Sequence, residues 1–438
     1  MGKSSIIYVI GLSLIIGIAL ANINETSMGS MDSYTTYFGR TMAHNIALAA
    51  ANVGANRVLF DYAYDTPISG PFSGGSYAVA YWDTGAASTY VKFMEVVAKF
   101  NSGGETIHDT VRAVFGRRQF SIYGWFTEEE KNGYLRPDGT TGPYYGSSDW
   151  KITGDSVFGY AHTNYKFNLA GQPYFDRKVT ARLAPTLGTL GGVEDPVYNE
   201  GYEWGVTIQR DTANLGALRS LANAGNPFAA AFDGSDVGLE FFSTGDVRVR
   251  IPHTTGATLD TTVPVSVLSS TKVIGAVNGD LHLKGTYRGE VTVCAFTGTG
   301  PFAQKGNVWI DGDLVAANNP RLDPGSTDMM GIVAERMGYI TKDLTRNSSS
   351  ALNIQAAIYC HNGEFTAEDF WSIPKSGRVS LYGSITQKTA GSLGVFSFTS
   401  GLLNGYFYSI RHDTRFLTSG PPAFPFSSKL KLIAWWEN

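Results

Sequence analysis

Residues 6–21 read IIYVIGLSLIIGIALA, an apolar run without a single charge. Such a run is stable in two surroundings only, lipid or other packed apolar side chains. Lys3 is the only charge before it, and Ala19-Leu20-Ala21 closes it with a small-x-small pattern. The run therefore admits three placements. It can be a secretory signal with a cleavage site at its end. It can be a membrane anchor, on the short side of the ~20 residues a full span needs. Or it can be a helix that starts in the membrane and later packs into the core of a fibre.

The residues that follow favour a long helix. Met31, Tyr34, Phe38, Met42, Ile46, Ala49, Val53 and Leu59 recur mostly at steps of three or four, the period of an amphipathic helix. The patch NIALAAAN at 45–52 is rich in Ala, the best helix former. The weak point is NINETSMGS at 22–30, where Gly29 costs about 1 kcal/mol of propensity. The pattern predicts one helix over 1–60, or two stacked halves with a joint there. In the fibre placement, the assembly residues are Ile6, Ile7, Val9, Ile10, Leu12, Leu14, Ile15, Ile16, Ile18 and Leu20.

The rest of the chain has a different texture. Of 438 residues only 16% are charged, while 51 are Gly and 13% are aromatic. An ordinary soluble domain has about 25% charged residues. Low charge with many glycines and aromatics suits a turn-rich β protein with extensive contact surfaces, and excludes disorder and coiled coils. A net charge of -4 argues against a nucleic-acid partner. The two cysteines, Cys294 and Cys360, exclude a disulfide-rich scaffold and a four-cysteine zinc site. Both lie in apolar runs, as buried thiols or as one disulfide outside the cell.

SYAVAYW at 76–82, YVKFMEVVAKF at 90–100 and TIHDTVRAVF at 106–115 predict a three-stranded antiparallel meander, with NSGG at 101–104 as a hairpin turn. A long helix laid on such a meander is the general plan of a pilin, an analogy of fold alone. From about residue 149, short β runs recur between Gly-Asp, Asn-Gly and Ser-Gly turns, roughly every 20–30 residues. Each run would bury its apolar side only by stacking on its neighbours. This predicts a parallel β-helix, with a β-sandwich as the second choice. The expected class is α+β, mainly β. The expected domains are 1–60, a head at 61–146, and 147–438 with an insertion near 186–250 that holds a short helix at 215–224. Val308, Ile310, Leu314 and Val315 should be mostly buried, with Gly312 in a tight turn.

TGDSVFGYAHTN at 153–164, GNVWIDGDLVAANNPRLDPGSTDMMGIVAERMGYI at 306–340 and YSIRHDTRFLTSGPPAFP at 408–425 carry a likeness. They resemble the C-terminal domain of certain bacterial type IV pilin-like surface proteins, which looks like a polymer-forming, bactofilin-related β-helix. The resemblance implies a surface or filament role without catalysis. The chain departs from a standard type IV pilin in its start. No glutamate stands at the fifth position of a mature helix, and the first acid is Glu25.

No phosphate loop, zincin helix or hydrolase elbow occurs. Asp311 and Asp313 flank Gly312 and could share a face, as the carboxylates of a glycosidase do at about 5–9 Å; turn chemistry explains them equally. Asn318, Asn319, Asp323 and Asp328 are oxygen donors that calcium would accept, or loop caps. Tyr144, Tyr145, Trp150, Trp435 and Trp436 suit carbohydrate platforms or packing at seams. Asn24 and Asn347 open glycosylation sequons. The expectation is a structural subunit of an extracellular, cell-surface filament. It would be inserted in the inner membrane before assembly, with further copies of itself as partner in a helical homopolymer. It would need no catalytic, cofactor or metal site. A membrane-anchored, adhesin-like binding protein is the alternative, and a glycan-active β-helix enzyme ranks below it.

Overall fold

The computed structural model describes residues 3–61, 64–83, 91–210, 215–254, 256–345 and 350–437. The sequon at Asn347 lies outside them. The chain divides into two compact units, 1–117 with 429–438, and 118–428. The smaller unit thus ends near residue 117 rather than at 146, and the last ten residues return to it. Residues 118–146 belong with the larger unit.

In the smaller unit, α1 (Lys3–Phe60) is one uninterrupted helix of 58 residues. Gly29 does not break it; a single glycine's cost is small against a helix this long. Beside it lie β1 (Ile68–Phe72), β2 (Gly75–Asp83), β3 (Val91–Ser102) and β4 (Glu105–Gln119), paired in that order. The β1–β2, β2–β3 and β3–β4 pairs are antiparallel. The expected meander is there, with β1 added at one edge and the C-terminal strand Phe426–Glu437 next to β4 at the other.

Of the eight periodic apolar positions of α1, Ile46 meets the sheet and Met42 and Ala49 are half-buried. Gly39, Ala43, Ile46, Ala47, Ala50, Ala51, Gly54 and Val58 are buried, while Met31, Tyr34, Phe38, Val53 and Leu59 are exposed. Small side chains let the helix backbone approach closely, which large ones would prevent. At Gly54, a Cβ would meet Met94 Sδ at 2.8 Å and Tyr81 Oη at 2.9 Å.

The larger unit is mixed but mainly β. Its strands pair in parallel along ladders. One ladder runs through Val273–Val277, Glu290–Phe296, Met329–Ala334, Leu352–Cys360 and Arg378–Thr389. It then continues through Trp125–Glu129, Ala161–Thr163, Val179–Ala181 and Tyr202–Trp204. Setting aside the join of Ile385 to Trp125, paired residues along this ladder lie from 18 apart (Ala161 and Val179) to 39 (Glu290 and Met329), so no fixed period is visible in the sequence. The strands bury apolar residues between neighbouring ladders in one large core, and the first ladder buries others, among them Val273, Phe296 and Val333, in a second cluster on its opposite face. Val308, Ile310 and Leu314 are buried and Val315 half-buried. Gly312 lies within strand Val308–Ala316, at a register shift against strand Asp280–Tyr287, and not in a tight turn. Cys294 and Cys360 are buried free thiols.

The order of the ladder is not the order of the chain. Strand Arg378–Thr389 pairs with Trp125–Glu129, and Phe407–His412 pairs with Ser156–Phe158. Residues 125–204 therefore extend a stack that begins with the later residues. Residues 186–204 continue the ladders and are no insertion. The described residues of the next stretch, 205–210 and 215–235, lie along the outside of the first ladder. Asn164 brackets Ile208 through its side-chain amide, with bonds of 2.7 and 2.9 Å. Arg210 donates to the Cys360 carbonyl (3.0 Å) and to Glu128 (3.1 Å). Arg219 reaches the Thr297 carbonyl and Glu335. The helix expected at 215–224 is α2 (Leu215–Asn223), and it sets Leu218 and Ala222 against Val273, Cys294 and Phe296.

This returning strap generates a stability prediction. The Arg210 side chain is only 4% exposed, and Arg210→Ala removes both of its bonds. A charged hydrogen bond contributes about 1.5–3 kcal/mol. Chemical denaturation should show the larger unit less stable by about that amount, with the smaller unit unchanged. Unaltered stability would mean that the strap is held by its apolar contacts alone.

Candidate functional site

The ten expected assembly residues all lie on α1 and all are exposed, from 50% at Ile16 to 71% at Ile7. Residues 4–24 carry no charge between Lys3 and Glu25. As continuous helix they measure about 31 Å at 1.5 Å per residue, which matches a hydrocarbon core of about 30 Å. The helix is long and apolar enough to cross a membrane. Further along, Met31 and Tyr34 extend this apolar surface, while Phe38, on which Tyr34 stacks at 6.4 Å, packs edge-on against Phe100 of β3 at 6.0 Å. So the helix has two apolar faces: a small-residue face covered by its own sheet, and a large-residue face left open.

The other residues singled out by sequence have local partners. Asp328 is buried and accepts from the backbone N–H of Gly289 and of Asn318, both at 2.7 Å. Asn319 accepts from Arg321 and Gln355, and Asp323 from Gly325. That loop is capped by its own carboxylates. Tyr144 packs on Phe370 and Trp371, and Trp150 on Phe396 and Phe398. Trp435 packs against the core of the smaller unit, while Trp436 is exposed. Asp313 accepts from the Asn353 N–H at 3.0 Å. Asp311 faces elsewhere, accepting from Thr341 at 2.5 Å and pairing with His282 Nδ1 at 3.1 Å.

Asp311 leads to a grouping that the sequence reading missed. His253, His282 and Asp311 each offer a ligand atom within 4.8 Å of the others, the one such group among the described residues. Parallel pairing stacks His282 on Trp309, and Trp309 on Tyr339. The ring centroids are 5.4 and 4.3 Å apart. His253 caps this column, 3.4 Å from His282 and within 7° of parallel. Burial, and then the charge of His282, lower the pKa of His253. Burial is the largest single influence on the Asp311 carboxyl and raises it, but the bond and charge of His282, with Thr341 and His253, together outweigh it and hold it below the usual range. The signal that could have revealed the group is the register of 281–283 against 308–310, which only the pairing supplies.

A second cluster lies in the core where the two runs of the ladder meet. Lys151 is buried in an ion pair with Asp149, its Nζ 4.0 Å from the Trp125 ring and 4.7 Å from that of Tyr408. Glu130 accepts from Trp125 and Thr127. Asp155 accepts from the N–H groups of Ile152 and Tyr408, and Glu364 from Gly133 N–H and Thr389. Burial is the main cause that pushes these carboxyls up, Asp155 to about 6, Glu130 to about 7 and Glu364 to about 8. Enclosed and without a cleft, the cluster is suited to holding strands together.

No protein family matches the chain, and no curated protein and no solved structure is similar to it. The chemistry of these residues carries the functional argument alone.

The buried acids set a pH dependence. An acid whose pKa is raised on folding gives stability that is present below its unfolded pKa and lost as pH rises through the folded value. Between about pH 6.5 and 8, Glu364 and Glu130 should therefore make the larger unit less stable as pH rises. Each group still protonated contributes a slope of about 1.4 kcal/mol per pH unit. His361, lowered to about 4 by burial, acts in the opposite sense, but only below about pH 6.5. Unfolding measured from pH 6.5 to 8.5 should show the decline, and Glu364→Gln should flatten it. Equal slopes in both proteins would refute the raised pKa of Glu364.

Proposed function

We propose that this chain is a structural subunit of an extracellular, pilus-like filament that polymerises through α1. The observation that carries the reading is the open apolar surface of that helix. Its C-terminal half is docked on a sheet, so the helix is a rigid rod. Its N-terminal half leaves the ten large apolar side chains exposed, without a partner among the described residues. Burying one such side chain contributes about 1.5–3 kcal/mol. Copies of the same helix, packed side by side, would cover them; lipid would cover them before assembly. The match between residues 4–24 and the lipid core supports a membrane-inserted stage.

For the larger unit, we read the parallel ladders as a parallel β-helix. Support comes from the repeated parallel register and from the large core that apolar residues of many short strands share. In the filament such a unit would form the outer layer. The type IV pilin-like and bactofilin-related likeness remains part of this proposal. A second reading, a membrane-anchored surface protein that stays monomeric, rests on the same helix held permanently in lipid.

The test is to image purified protein by electron microscopy, wild type beside Ile10→Asp and Ile15→Asp. A carboxylate in a helix bundle or in lipid costs several kcal/mol to desolvate. Wild type should form helical filaments, and each variant should lose them while its β units unfold at the wild-type temperature. Wild-type-length filaments from either variant would overturn the core role of α1. Wild-type protein that stays as detergent-bound monomers would favour the anchor.

A further inference from the structure

We propose that His253, His282 and Asp311 form a binding site for one divalent transition-metal ion of the zinc class, which clamps the end of the ladder. The site lies within the larger unit and owes nothing to the assembly role of α1.

The donor set suits this cation. Two imidazole nitrogens and one carboxylate oxygen are ligands for Zn²⁺, Ni²⁺ or Cu²⁺, and are softer than the all-oxygen shells that Ca²⁺ and Mg²⁺ take. The carboxylate is held by Thr341, whose hydroxyl bonds to Asp311 at 2.5 Å. Ligand orientation by such an outer partner is what a metal site needs.

The second observation concerns His253. Its Nδ1 is buried and has no hydrogen-bond partner among the described residues. A buried polar nitrogen without a partner costs about 1–3 kcal/mol, and a cation would relieve that cost. Room for the ring exists because Gly238 stands below it. There a Cβ would approach the His253 Cβ to 3.0 Å and its Cα to 3.4 Å.

Geometry also says which ring must move. The two imidazoles are parallel and stacked, so their in-plane lone pairs run side by side. An ion about 2.0–2.1 Å from each nitrogen cannot lie in both planes at once. His282 is fixed in strand Asp280–Tyr287 between two parallel neighbours and rests on Trp309. His253 follows strand Asp246–Ile251 on a bend, tied by one backbone bond to the Asp236 carbonyl at 2.9 Å. His253 is the ring that swings out of the stack to complete the shell.

The consequence is mechanical. Strands Asp236–Phe241, Asp246–Ile251 and Leu259–Pro264 form an antiparallel group at the end of the stack, whose strand pairing to the ladder, among the described residues, is Asp236–Phe241 against Asp280–Tyr287. An ion shared by His253, His282 and Asp311 would tie this group to the next two strands, and would resist peeling from that end.

The test uses the full chain in detergent and Zn²⁺ alone, followed by titration calorimetry. One ion per chain should bind. His253→Phe and His282→Phe keep an aromatic ring in the column but remove the nitrogen, so folding is preserved. Each should weaken binding by about 100-fold or more, since loss of an outer partner alone costs 10–100-fold. Asp311→Asn should weaken it as well. Ni²⁺ should quench the fluorescence of Trp309, with the quenched fraction lost in Trp309→Phe. Absence of stoichiometric Zn²⁺ binding would overturn the proposal. So would unchanged affinity in both histidine variants.

Discussion

The pairing of strand Arg378–Thr389 with Trp125–Glu129 is the contact on which the larger unit depends. A parallel ladder can grow only by adding strands at its ends, and every end exposes unpaired N–H and C=O groups. Residues 125–204 alone would be a short stack with two such ends. Placed on 378–412 they become the continuation of a long one. The same join explains why the core there tolerates charge. Lys151 finds Asp149 and the rings of Trp125 and Tyr408, residues drawn from both runs. Removing either run would leave a buried cation without its surroundings, which is far costlier than never burying it.

The join also imposes the strap. A chain that ends one run at the far end of the stack must travel back to begin the other. Residues 205–210 and 215–235 lie over the outer face of the first ladder, and their polar anchors at Arg210 and Arg219 bind carbonyls and carboxylates along the way. The apolar side of α2 closes the face near Val273. Connection and cover are thus the same segment.

The smaller unit solves a different problem, how to hold a long helix firmly while leaving part of it bare. Small residues on one side of α1 give close contact with β2 and β3, and large apolar residues on the other side stay outside. If the large ones had faced the sheet, the helix would stand farther off from it. The division of residue sizes around the helix therefore separates internal docking from external association.

Much of this was legible in the sequence. The long helix follows from its apolar run and its period, the meander from β-rich runs and the NSGG turn, and the burial of Val308, Ile310 and Leu314 from alternation along one strand. These are local patterns, and a strand or helix announces itself through its own spacing. Three things were decided by tertiary structure alone. The buried face of α1 was chosen by how closely a backbone can approach, which periodicity does not encode. The permuted order of the ladder, and the strap it demands, rest on pairing between residues more than 200 apart, which no local signal carries. The meeting of His253, His282 and Asp311 arises because parallel pairing brings together positions far apart in sequence, at separations that vary from one strand to the next.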